Sequence, residues 1–176
     1  MLVNHLLTIT MVEILFNRLN TKAVLPLRKH FDDAGYDLIA TSCKYNPLYD
    51  RFEYGLGFAT KIPVGYEAEI RPRSSNTKTD AYIPNAPGTI DSGYTGEWKV
   101  FFKLRTPFEQ LYPTGDLNLN LLEMENERAP YKVGDAIAQC LIHKVEDIWF
   151  TEVTELPETE RGEDGGLIRD NKNFKV

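Results

Sequence analysis

Apolar and polar residues alternate in short stretches along this chain, the pattern of strands with one dry face and one wet face. Val12-Glu13-Ile14-Leu15-Phe16-Asn17 alternates in part, and Tyr66-Glu67-Ala68-Glu69-Ile70-Arg71 does so again after the turn Pro63-Val64-Gly65. Trp98 to Leu104 reads as a strand with two apolar faces, and Ile137-Ala138-Gln139-Cys140-Leu141-Ile142 is apolar enough for a buried one. Ile148 to Val153 offers a further strand. No segment carries a long stripe of period 3.6; Leu119 to Glu127 is the one place for a short helix. Glycine and proline punctuate these stretches throughout, which predicts an all-β barrel or sandwich.

A length of 176 residues predicts one domain around one core. Residues 1–10 are apolar but lack a cationic start and a small-residue cleavage site, so they read as an extension ahead of a β domain over 11–160. Residues 106–130 mix Pro, Gly, Asn and acids without strand periodicity and read as an insertion. Residues 161–176 are polar and Gly-rich, too poor in apolar surface to pack, and read as a mobile arm.

A net charge of -6 argues against general nucleic-acid binding, which needs a basic face. No apolar run reaches the length of a membrane span. Cys43 and Cys140 stand far apart without metal spacing, as in a reduced intracellular protein. His5, His30 and His143 are scattered, so no zinc site is expected.

The chemistry concentrates in Pro87-Gly88-Thr89-Ile90-Asp91-Ser92-Gly93-Tyr94-Thr95-Gly96. Glycines let backbone approach a ligand closely, a carboxylate can act as a base, and an aromatic can lie against a flat ring or a sugar. Four other segments stand in order around it: Ala34-Gly35-Tyr36-Asp37-Leu38, Arg71-Pro72-Arg73-Ser74-Ser75, Gly134-Asp135-Ala136-Ile137-Ala138-Gln139, and Arg161-Gly162-Glu163-Asp164-Gly165-Gly166-Leu167.

In that order the segments resemble the motifs of the trimeric dUTPase family, over roughly residues 12–170. The resemblance implies a jelly-roll β-fold and hydrolysis of dUTP to dUMP and pyrophosphate with Mg2+. It implies Asp91 as the base that activates the attacking water, and Tyr94 as the ring beneath the deoxyribose. Asn85, Gly88 and Ile90 would form the uracil-reading hairpin, and Arg73, Ser74, Ser75 and Gln139 would contact the phosphates. Asp37 would hold the metal through a water, and Arg161 would reach the γ-phosphate. Arg71 alternates away from Arg73, and Asp135 fits a structural turn. The fourth motif has Ala136 where the family commonly carries Arg. In the fifth, Leu167 stands where the family has a Phe lid, and Phe174 is the only aromatic downstream.

The resemblance also implies a homotrimer with shared active sites, in the cytoplasm of the cell or, for a phage-encoded chain, of its host. Two alternatives stand beside it. A dCTP deaminase shares the Asp hairpin, but similar deaminases place a Glu near the position of Phe101. A regulatory protein would use the insertion 106–130 to bind a protein partner. Removal of residues 1–10 is expected to leave thermal stability and activity unchanged; a large fall in either would assign that segment a structural role.

Overall fold

The computed structural model describes residues 11–106 and 127–159. One compact unit ends at Glu146 and a second begins at Asp147. The first unit is all-β, with strands β1 (Leu15–Arg18), β2 (Tyr36–Ile39), β3 (Ser42–Asn46), β4 (Arg51–Gly55), β5 (Phe58–Lys61), β6 (Tyr66–Arg71), β7 (Ala81–Tyr82), β8 (Gly88–Ile90), β9 (Lys99–Leu104) and β10 (Ala136–Lys144). They form antiparallel sheets in the orders β2-β10-β6-β8, β3-β4-β9-β7 and β1-β5. Among the described residues a single 3-10 turn, Ser74–Lys78, follows β6.

The alternation places side chains as the pleat requires. In β6, Ala68 and Ile70 are buried between Glu67, Glu69 and Arg71. In β9, Val100 and Phe102 are buried while Lys99 is exposed, and in β4 Phe52 and Tyr54 are buried. These residues join Leu38, Ile137, Ala138 and Cys140 in one core. Aromatic edges fill it: Tyr54 meets Phe102 at 5.6 Å edge-on, and Phe102 meets Tyr131 at 5.4 Å. Burial pushes the Cys140 thiol up to about 12, so it carries no thiolate at neutral pH.

One buried polar clasp closes the core. Tyr54 donates its hydroxyl to the Tyr131 carbonyl at 2.8 Å and accepts from the Tyr131 amide at 3.1 Å. Burial drives the Tyr54 phenol far above its ordinary value, so it is protonated at neutral pH. The clasp ties β4 to the chain as it returns to β10.

Two expectations are corrected. The first strand is Leu15–Arg18 rather than 12–17, and Val12 lies exposed ahead of it. Ile148 to Val153 forms no strand, and Ile148, Trp149, Phe150 and Val153 are exposed. A strand needs a partner for its N–H and C=O groups, and no ladder among the described residues reaches this stretch. The proposed helix at Leu119–Glu127 and the insertion lie almost wholly outside the described residues, as do Arg161, Leu167 and Phe174.

Tyr54→Phe is expected to cost about 2 kcal/mol, because it leaves the buried Tyr131 amide and carbonyl unpaired. Urea denaturation followed by Trp fluorescence measures this; an unchanged midpoint would remove the clasp from the account.

Candidate active site

β10 lies between β2 and β6, so segments far apart in sequence meet across three strands. Gln139 pairs with Asp37 on one side and Arg71 on the other. A bulge between Ala136 and Ala138 sets this register. Two consecutive residues, Ile137 and Ala138, are thereby buried, and Gln139 comes beside Asp37.

Arg73 reaches across this row. Its Nε and Nη2 donate to the two carboxylate oxygens of Asp37 at 2.8 and 2.9 Å, and its Nη1 donates to the Ala136 carbonyl at 3.0 Å. Such a fork-on-fork pair fixes both side chains in direction as well as distance. Three of five guanidinium N–H donors are used, which leaves two for a further anion. The pair is about one-third exposed, so its worth to stability is small and its effect is chiefly to orient.

Gln139 donates Nε2 to the Pro72 carbonyl at 2.9 Å. Its side chain lies over Gly35, where an added Cβ would come within 2.2 Å of Oε1. The turn after Arg73 is held by Asn76, whose Oδ1 accepts from the Arg73 amide at 2.7 Å. Asn76 was not among the residues singled out by sequence; the spacing of an Asn three residues after Arg73 is its only signal. Ser74 is exposed, and the Ser75 hydroxyl stands 3.3 Å from the Tyr131 hydroxyl. Arg71 turns to Glu69, and that hydrogen bond lowers the Glu69 carboxyl below its usual range. Asp135 accepts from the Lys132 amide at 2.8 Å and closes the turn at Gly134, whose φ is 98°.

The hairpin forms a second group of site residues. Gly88 pairs with Ile70 and Ile90 with Ala68. Asn85 lies exposed with its Nδ2 near Gly88, and the Ala86–Pro87 peptide is cis. Asp91 is exposed at the tip, where its carbonyl accepts from the Tyr94 amide at 3.0 Å. Lys61 donates to the Ser92 carbonyl at 3.2 Å. The phenol end of Tyr94 folds back against Gly96, and its hydroxyl donates to the Glu97 carbonyl at 2.9 Å.

These groups do not meet within one chain. Ile90 pairs with Ala68, so Asp91 leaves β8 at the level of Glu67, and β6 then runs four residues to Arg71. At about 3.3 Å per residue that is roughly 13 Å, and Arg73 lies further on. Among the described residues no three His, Cys, Asp or Glu side chains gather as a metal cage. Each Asp37 oxygen accepts one bond from Arg73 and retains capacity for a metal-bound water.

The dUTPase family model matches residues 21–116, more than half of the chain. The deoxyuridine 5'-triphosphate nucleotidohydrolase of Clostridium kluyveri is 33% identical over 155 residues, covering 88% of this chain and 95% of the relative. This chain belongs to the dUTPase family. The Corynebacterium diphtheriae nucleotidohydrolase is 41% identical over 150 residues, covering 84% and 86%. Among solved dUTPases, that of Staphylococcus bacteriophage 80alpha with dUPNHPP superposes with a TM-score of 0.63 at 25% identity, covering 89% of this chain and 99% of that one. The dUTPase of phage phi11 of S. aureus, described with a structural Mg(II) ion, superposes at 0.61 with 24% identity, covering 81% and 97%. The jelly-roll architecture is thus the dUTPase one.

Gly35→Ala is expected to cost about 1 kcal/mol, because the new methyl displaces Gln139 from the Pro72 carbonyl. In a Gln139→Ala background the same substitution should cost little. Equal losses in both backgrounds, by urea denaturation, would overturn the packing of Gln139 on Gly35.

Proposed function

We propose that the protein hydrolyses dUTP to dUMP and pyrophosphate, with Asp91 as general base. The observation that carries this reading is the hairpin itself: an exposed carboxylate at the tip of β8, three residues before a tyrosine folded on glycine, in a chain of the dUTPase family. Asp91 takes a proton from a water as that water attacks the α-phosphorus. The bond from the α-phosphorus to the bridging oxygen breaks, and pyrophosphate leaves with that electron pair.

Specificity comes from fixed groups. Asn85 and the backbone of Gly88 and Ile90 read the uracil edge, where a mismatched base leaves buried donors or acceptors unpaired. Tyr94 lies beneath the deoxyribose and excludes a 2′-hydroxyl by shape. Ser74, Ser75, Gln139 and the two spare donors of Arg73 meet the phosphates, and Arg161 the γ-phosphate. Leu167 and Phe174 are the candidates to cover the base.

Asp37 is the residue suited to hold Mg2+, through a bound water. With one carboxylate and no cage among the described residues, the metal would arrive on the substrate phosphates, whose charge it neutralises.

The span of more than about 13 Å between Asp91 and the Asp37–Gln139 row supports a homotrimer with shared active sites. Phosphate groups held by Gln139 must lie within a bond or two of the phosphorus that Asp91 serves. A hairpin from one copy facing the row of another meets that demand. A deaminase is disfavoured because β9 presents Phe101, with the Arg51 guanidinium 4.0 Å over its ring. Neither a protein partner through 106–130 nor a cytoplasmic location follows from the described residues; no helix among them is long and apolar enough to cross a membrane.

Pyrophosphate release should be fastest with dUTP among dUTP, dCTP, dTTP and UTP, and Asp91→Asn should lower kcat by about 10²–10⁴. Ammonia release from dCTP would overturn the reading. Asp91→Asn and Gln139→Ala subunits, each poorly active alone, should regain about one quarter of wild-type activity when refolded together at equal amounts. No gain on mixing would overturn the shared site.

A further inference from the structure

Glu97 follows the catalytic hairpin, and neither the base nor the phosphate reading uses it. Its side chain is about two-thirds covered, with 31% exposed. Its Oε1 accepts a hydrogen bond from the Gly57 amide at 3.0 Å. The carboxylate lies against Gly55, where an added Cβ would come within 2.7 Å of the same oxygen. Lys99 Nζ stands 4.0 Å from the other oxygen, a loose pairing.

Gly57 is itself a constrained position. Its φ is +69°, in the left-handed region that favours glycine, and Asn20 packs on the face a Cβ would occupy. Two backbone bonds flank it: Leu56 N–H to the Trp98 carbonyl and Trp98 N–H to the Phe58 carbonyl, both 3.0 Å. The segment at Glu97 and Trp98 is therefore clasped to the turn between β4 and β5 by three hydrogen bonds.

The other end of Glu97 meets Tyr94. The Glu97 carbonyl accepts the Tyr94 hydroxyl at 2.9 Å, and Gly96, lacking a Cβ, leaves room for the phenol end of the ring beside it. Tyr94 is exposed by 44%, so nothing else among the described hydrogen bonds holds its ring in place.

We infer that Glu97 is a positioning residue for sugar discrimination: its carboxylate, anchored on Gly57, fixes the carbonyl that holds the Tyr94 ring in the pose that excludes a 2′-hydroxyl. This rests on the reading of Tyr94 as the deoxyribose platform. The anchor acts as a hydrogen-bond acceptor, so charge is dispensable and an amide oxygen can replace the carboxylate.

The measurement is the ratio of kcat/KM for dUTP to that for UTP. Glu97→Ala should lower the ratio about tenfold, the worth of one positioned hydrogen bond. Glu97→Gln should keep it within about twofold, because its carbonyl oxygen accepts from Gly57 equally well. Tyr94→Phe should lower the ratio as Glu97→Ala does, and the double variant should lose no more than either single. Thermal denaturation of each variant separates this from general unfolding. A ratio lost with Tyr94→Ala but kept with Glu97→Ala overturns the role of Glu97 alone. A ratio indifferent to Tyr94→Ala overturns the sugar platform and its anchor together. Additive losses in the double variant also overturn the coupling.

Discussion

A one-residue bulge at the start of β10 sets which side chains share the outer face of the central sheet. Without it, Gln139 would oppose Tyr36 and turn away from Asp37. With it, Asp37, Gln139 and Arg71 line up across three strands, and Arg73 can fold back to Asp37 and to the carbonyl of Ala136 at the bulge itself. The same bulge buries Ile137 and Ala138 together, so the core holds it in place: a regular strand would turn one of the two to the other face and break the row.

The ion pair of Arg73 and Asp37 is better understood as positioning than as stability. Both groups are partly wet, where water screens most of the Coulomb gain. With the bond to the Ala136 carbonyl, the Arg73 guanidinium nevertheless commits three donors and leaves two. An anion reaching the spare donors would meet a guanidinium already oriented, with less rotamer freedom left to lose. The hairpin shows the same economy. Tyr94 lies on glycine, bonded to a carbonyl that Glu97 ties to Gly57, so an exposed ring is held by backbone rather than by burial.

Alternation marked Tyr66 to Arg71 and continuous apolar character marked Trp98 to Leu104 and Ile137 to Ile142; each falls within a strand or overlaps one closely, because a strand buries one or both faces of its pleat. Ile148 to Val153 misled for a physical reason: apolar composition is needed for a strand, but a ladder partner is needed as well, and none pairs with it among the described residues. The motif residues were legible as types and spacings. Their pairings were not. Nothing local says that Arg73 spends its fork on Asp37, since the two are separated by 36 positions and by an intervening strand. Asn76 and Glu97 were overlooked because an isolated Asn or Glu in a polar stretch carries no distinctive pattern.

By itself the sequence determined the all-β class, the glycine-framed hairpin bearing Asp91 and Tyr94, and the order of segments that marks a dUTPase. Those are local properties: turn chemistry, period and composition act over a few residues. The tertiary structure alone decided that Asp37, Gln139 and Arg73 are neighbours, and that Asp91 leaves β8 four residues along β6 from that row. Register and strand order are global, settled by how two sheets share one core, and no short stretch of residues encodes them.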